Sequence, residues 1–231
     1  MSIKPHAGDA PGNALPVTTR NARRSRSARP DHPDLEILAG FLETRLGAKR
    51  ARLVGGRLLA RAGSLAGVAA TTGPILRGHG LSDAAVSDIA RARSLASAMA
   101  RDLACRGPVL SSWSALVDYL RVALAHLPRE EFRVLYLDKR NVLMREEHRA
   151  PGTTDHAPVY VKEVLRTALE MSASAMILVH NHPSGDPTPS RADIEMTRRI
   201  LEAARIFDID VHDHVVVGRE GTKSFRALGL M

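Results

Sequence analysis

Cys105 is the only cysteine among the 231 residues. One thiol cannot close an internal disulfide or build a thiolate-rich zinc cluster, so any metal held by this chain must draw on histidine and carboxylate. Long apolar runs are missing too. None approaches the roughly 20 residues that cross a bilayer, and the first residues lack the apolar stretch of a secretory signal. The expectation is a soluble, cytoplasmic protein with no membrane partner. Hydrophobic residues, by contrast, make up 44% of the chain. At this length that suffices for one large domain or two small ones, and two are expected.

Acidic side chains are scarce in the first part of the chain. Residues 1–30 set Lys4, Arg20, Arg23, Arg24, Arg26 and Arg29 against Asp9 alone. Residues 31–108 hold 11 basic and 7 acidic side chains, and residues 109–231 hold 16 and 17. The formal charge of +8 therefore belongs entirely to the N-terminal half. That asymmetry suits a polyanion such as DNA, and it equally describes a solvated basic arm. Residues 1–33, with Pro5, Pro11, Pro16, Pro30 and the run NARRSRSAR, show no apolar periodicity and read as a disordered basic tail.

Residues 34–108 read as a small helical domain. Leu35, Ile37, Leu38, Phe41, Leu42 and Leu46 fall at helical spacing before Gly47. A second helix is expected over Ala51–Ala62. In GPILRGHGLSDAAVSDIARARSLASAMARDL, Gly78 and Gly80 suit a tight turn, and Ser82 or Asp83 an N-cap for a long helix. This has the form of a helix-hairpin-helix, in which a short glycine turn lets backbone N–H groups approach a phosphate. An ordinary helical bundle fits as well. His79 stands where an apolar residue is usual, and Arg91, Arg93 and Arg101 suit either phosphate contacts or a solvated face.

Gly107 and Pro108 mark a boundary, and residues 109–231 form the second expected domain. Ser111 or Ser112 is read as the cap of a helix through Trp113, Leu116 and Leu120. Phe132–Asp138 and VLMREEHRA read as a hairpin, followed by a helix over Val159–Met171, a buried strand over Ala175–Val179, a helix over Arg191–Ile206 and a strand over Val211–Val217. Alternating strands and helices place the fold in the α/β (α+β) class.

The stretch HNHPSGDPTPSRAD, residues 180–193, emerges from the buried strand AMILV. In an extended segment residues i and i+2 point to one side, so His180 and His182 present their imidazoles to the same point. Pro183, Pro187 and Pro189 stiffen the loop, Ser190 suits the cap of the next helix, and Asp193 lies in its first turn, within reach as a third ligand. Two histidines and an aspartate leave the fourth position open, as catalytic zinc requires. Either half alone is ordinary: H-x-H is commonly structural, and S-x-x-D is a routine helix start. Their conjunction is far rarer.

This stretch resembles the JAMM signature of MPN domains. RTALEMSASAMILVHNHPSGDPTPS, together with DHVVVG further on, is similar to the bacterial RadC family, well over about 109–231 and more loosely over 34–106. The resemblance implies an MPN/JAMM-like (cytidine-deaminase-like) domain with a mixed sheet and flanking helices, preceded by a helix-hairpin-helix region. It implies Zn²⁺ on His180, His182 and Asp193, where the ion lowers a water's pKa toward about 7, and an unknown peptide or protein substrate. It further implies a glutamate base at the start of the first strand, where PREEFRVLYLD offers Glu130 and Glu131. Strand alternation forbids both from facing the metal equally; Glu130 is narrowly preferred. The Ser190 hydroxyl would hydrogen-bond the oxyanion of an attacked carbonyl. The family's name, tied to DNA repair, supplies the alternative of a nucleic-acid-associated accessory protein with an MPN scaffold. His212 and His214 repeat the H-x-H spacing without a following S-x-x-D; Asp213 and His214 read as supporting groups and His212 as incidental. Glu146 and Glu147 are rival bases, whose place late in the second strand suits a surface hairpin.

Overall fold

The computed structural model describes residues 33–149 and 157–231. The basic tail expected over residues 1–33 lies, but for Pro33, outside them.

Leucines at three- and four-residue spacing assemble the first helices. Leu35, Leu38 and Leu42 of α1 (Pro33–Leu46) are buried against Val54, Leu58 and Leu59 of α2 (Ala48–Ala62). Two short helices that periodicity did not reveal follow, α3 (Leu65–Ala69) and α4 (Gly73–Gly78), and then the long α5 (Asp83–Ala104). Ser82 rather than Asp83 is the N-cap of α5, its side chain accepting the Ala85 N–H at 3.3 Å. In the turn before it Gly80 takes φ +86°, which a side chain would strain. The amides of His79, Gly80 and Leu81 all donate back to carbonyls of α4. None of the three remains for a phosphate.

Ser112 stands at the N-cap position of α6 (Trp113–Leu124), as expected, but its side chain makes no capping hydrogen bond. Val109–Ser112 forms a 3₁₀ turn, and the Ser111 hydroxyl donates to the Pro108 carbonyl at 2.7 Å. Burial of Leu116, Leu120 and Leu124, on one stripe, fixes α6 instead.

Among the described residues five strands form one mixed sheet: β1 (Phe132–Leu137), β2 (Leu143–Arg149), β3 (Ala175–Asn181), β4 (Asp210–Gly218) and β5 (Gly221–Ser224), in the order β2-β1-β3-β4-β5. Only the β3–β4 pair is parallel, joined by α8 (Arg191–Arg205) as a crossover. β3 lies at the centre and is buried along its whole length, which explains its unbroken apolar run. Alternation sends Ile177 and Val179 toward α6, and Met176 and Leu178 toward α8 and α7 (Ala157–Glu170). The result is a sheet sandwiched between helices, with α5 packed on the outer side of α6. The polar β5 was not anticipated.

Residues 182–187 fold back over the end of β4. The His182 N–H donates to the Val217 carbonyl at 2.9 Å, and the Glu220 N–H to Gly185 at 3.0 Å. A Cβ on Gly218 would overlap the Gly185 carbonyl. Gly218→Ala must therefore displace the loop that carries His182. A loss of about 1–3 kcal/mol is expected, read as a melting midpoint lowered by about 2–4 °C per kcal/mol. Gly107→Ala, whose Cβ meets nothing within 4 Å, is the control and should not shift it.

Candidate metal centre

His180 is the last residue but one of the buried β3, and His182 follows just past the strand's end, one pleat further on. The expected same-side presentation is what the strand delivers: the two Nε2 atoms lie 3.0 Å apart. Asp193 comes to the same point from the first turn of α8, with its Oδ1 3.4 Å from His180 Nε2 and its Oδ2 3.4 Å from His182 Nε2. Among the described residues this is the one group of three or more histidine, cysteine or acidic side chains spaced to hold a metal ion.

Asp193 is fixed by a capping box. The Ser190 hydroxyl accepts the Asp193 N–H at 3.2 Å, and Asp193 Oδ2 accepts the Ser190 N–H at 2.7 Å. Burial alone would raise its pKa. The neighbouring His180 ring and the Ser190 groups overcome that and hold the carboxyl well below the usual range, so Asp193 is an anion at neutral pH.

Hydrogen-bond directions set the tautomers of both histidines. His182 Nδ1 lies 2.9 Å from the Asp186 carbonyl, which only accepts, so Nδ1 carries the proton and the neutral ring offers a lone pair at Nε2. His180 is set by a longer chain. The Thr197 hydroxyl donates to the Asp193 carbonyl at 2.6 Å and so accepts from His214 Nδ1, also at 2.6 Å. His214 is completely buried, and burial, the largest cause, pushes its pKa well down and keeps the ring neutral. Its Nε2 is thus an acceptor for His180 Nδ1–H at 2.8 Å, leaving His180 Nε2 as a second lone pair. Two facing lone pairs and a carboxylate in one small triangle call for a shared cation. Two imidazoles and one carboxylate are a donor set that suits a divalent transition metal, zinc among them.

His214 therefore supports a ligand directly, as a second H-x-H residue without a ligand role of its own. Asp213 has a structural part, accepting the Ser224 hydroxyl at 2.5 Å and the Arg226 N–H at 3.0 Å. His212 bonds the Asn141 side chain at 2.6 Å. Thr197 was missed by sequence reasoning. Its signal was position, since Asp193, Thr197, Ile200 and Ala204 form the buried stripe of α8. Thr197→Val keeps the shape and removes both hydrogen bonds; zinc affinity is expected to fall about 10–100-fold, measured by competition with a chromophoric chelator.

The two glutamates before β1 part company. Phe132, the first residue of β1, pairs with His180; the same alternation carried two residues upstream assigns Glu130 to the triad's face. Glu130 is exposed. Glu131 instead bonds Arg133 at 2.9 Å, on the α6 side of the sheet. Asn181, fully buried between the two histidines, straddles Glu130: its Oδ1 accepts the Glu131 N–H at 2.8 Å and its Nδ2 donates to the Arg129 carbonyl at 3.1 Å. It too went unrecognised in the sequence. Glu146 corrects the surface-hairpin expectation: its side chain is 6% exposed, with its Oε1 2.9 Å from Arg133.

A buried strand supplying two histidines, with an aspartate from the crossover helix beside it, defines an α+β domain of the JAB, or MPN, class. The model of the RadC-like JAB domain matches residues 110–230. The chain belongs to the RadC family. It is 46% identical over 200 residues to a UPF0758 protein of Rhodobacter capsulatus, spanning 86% of this chain and 94% of that one. It is 49% identical over 152 residues to a UPF0758 protein of Ruegeria pomeroyi, spanning 66% and 68%. No helix among the described residues is long and apolar enough to cross a membrane.

Proposed function

We propose that the chain is a zinc-dependent hydrolase of amide bonds, a peptidase or isopeptidase-like enzyme of the JAMM type. The observation that carries this reading is the convergence of His180 Nε2, His182 Nε2 and the Asp193 carboxylate, with His182 at the solvent side. Zn²⁺ bound there supplies the Lewis acidity that makes water a competent nucleophile near neutral pH. Glu130 is assigned as the base: it takes a proton from the attacking water and returns it to the leaving amine. The alternation that assigns it to the face of His180, and the Asn181 clamp on either side of it, support that role. The engagement of Glu131 with Arg133 argues against Glu131. The Ser190 hydroxyl accepts from Asp193 N–H and keeps its own proton to offer a developing oxyanion.

Metal analysis followed by peptide-cleavage screening tests the reading, with His182→Ala as the control. Cleavage that tracks zinc content supports it; stoichiometric zinc without cleavage of any amide sinks the enzymatic part. The nucleic-acid reading has less behind it, because the hairpin amides are taken within the fold and Arg91 pairs with Asp88. Salt-dependent DNA binding that persists in His182→Ala would speak for that reading instead.

A further inference from the structure

Away from the metal centre, α5 and α6 enclose two recesses that meet at Arg93, Ala123 and Leu127. One, of about 450 Å³, has an almost wholly apolar wall that includes Ile37, Phe41, Ala92, Ala96 and Val122. Ile37, Phe41 and Val122 remain 60%, 42% and 42% exposed around it. The other, of about 420 Å³, is polar. Arg93, Ser97 and Arg101 follow each other at four-residue spacing along one face of α5 and look across at Tyr119, Arg133, Glu146 and His148.

Cationic groups are in excess in the polar recess. Glu146 accepts from the Tyr119 hydroxyl and from Arg133, and Glu131 also accepts from Arg133. Arg93 has no ion pair among the described residues, and Arg101 approaches Glu146 only to 3.6 Å. Arg133 is 7% exposed, and its Nε is the one buried side-chain polar atom among the described residues without a hydrogen-bond partner. Both volumes lie in the range of small-molecule sites.

We propose that these joined recesses bind a small amphiphile, its carboxylate or phosphate head held by Arg93, Arg101 and Ser97, and its hydrocarbon body lying past Ala96 against Phe41 and Val122. A metal ion is not the occupant, because both carboxylates are already bonded to Arg133. An extended apolar peptide with a free carboxylate shares the head and the greasy body. Its amides, however, would find no partners along the apolar wall, at a cost that hydrocarbon does not incur. The proposal does not depend on the hydrolase reading.

Calorimetric titration of the full chain, below micellar concentrations, tests it with dodecanoate and dodecyl phosphate as probes. Dodecanol, dodecyltrimethylammonium and inorganic phosphate are the controls for head and tail. Both anionic amphiphiles are expected to saturate at one per chain, at least tenfold tighter than any control, and whichever binds tighter names the head group. Arg93→Gln combined with Arg101→Gln should weaken them at least tenfold, and Ala96→Trp should abolish binding with the fold intact by circular dichroism. If Ala96→Trp does not fold, Ala92→Leu serves as the smaller plug and should weaken binding at least tenfold. Zinc content should be unchanged in every variant. The proposal is overturned by absence of saturable binding, by dodecanol binding as tightly, by binding that survives the plug, or by an apolar peptide that binds more tightly than dodecanoate.

Discussion

Glu130→Gln is expected to leave zinc at one per chain while lowering kcat for amide cleavage about 10²–10⁴-fold, the usual worth of a positioned general base. Its side chain is exposed, so the substitution should hardly change stability. His182→Ala is expected to fail in the opposite order. With one of three donors gone, the remaining ring and carboxylate no longer hold the ion, and activity disappears with the metal. The folded parent should gain stability from zinc by mass action, about 4 kcal/mol at a thousandfold excess over Kd, and a chelator should remove that gain. Zinc analysis, kcat and melting midpoint measured together on the parent and both variants separate ligand from base. If Glu130→Gln retains full kcat while Glu131→Gln loses it, the assignment of the base falls. The geometry predicts that Glu131→Gln mainly weakens the hold on Arg133.

The convergence of His180, His182 and Asp193 was legible because strand and helix geometry act over a few residues. His180 and His182 are two apart on an extended chain, and Ser190 and Asp193 are a helix cap and its third residue; both relations are set locally. The long apolar runs of α1, α6 and β3 were legible for the same reason. What escaped depends on contacts across the chain. Thr197 acquires its part only when β4 brings His214 beside α8, and Asn181 only when β1 runs antiparallel to β3. The four-residue β5, GTKS, carries no apolar alternation, since it forms as an edge against β4. Glu146 looked exposed in MREEH because nothing nearby in sequence announces Arg133, thirteen residues earlier, as its partner. Alternation does place Glu146 opposite Leu135, on the α6 face, once the hairpin register is known.

Arg133→Met is expected to destabilise the fold by about 3–5 kcal/mol, the range for removing one partner of a buried ion pair. Glu146, 6% exposed, would lose its bond from Arg133 and keep the Tyr119 hydroxyl, with Arg101 at 3.6 Å and the exposed His148 at 3.9 Å further off. Burial raises the pKa of that phenol and the Glu146 charge beside it raises it further, so Tyr119 stays a neutral donor and cannot replace the lost cation. The sign of the pH dependence follows. An uncompensated buried carboxyl has a folded pKa above its unfolded value of about 4.3, so the penalty vanishes below that value and grows as pH rises through the folded pKa. Denaturant melts of the variant and parent should accordingly differ most near pH 7 and converge toward pH 4. Adding Glu146→Gln to Arg133→Met removes the stranded charge and should recover a large part of the loss at pH 7 with little effect at pH 4, a coupling that a double-mutant cycle reads directly. A loss of equal size at both pH values would mean that Arg133 matters through its packing between Tyr119 and β2 rather than through its charge.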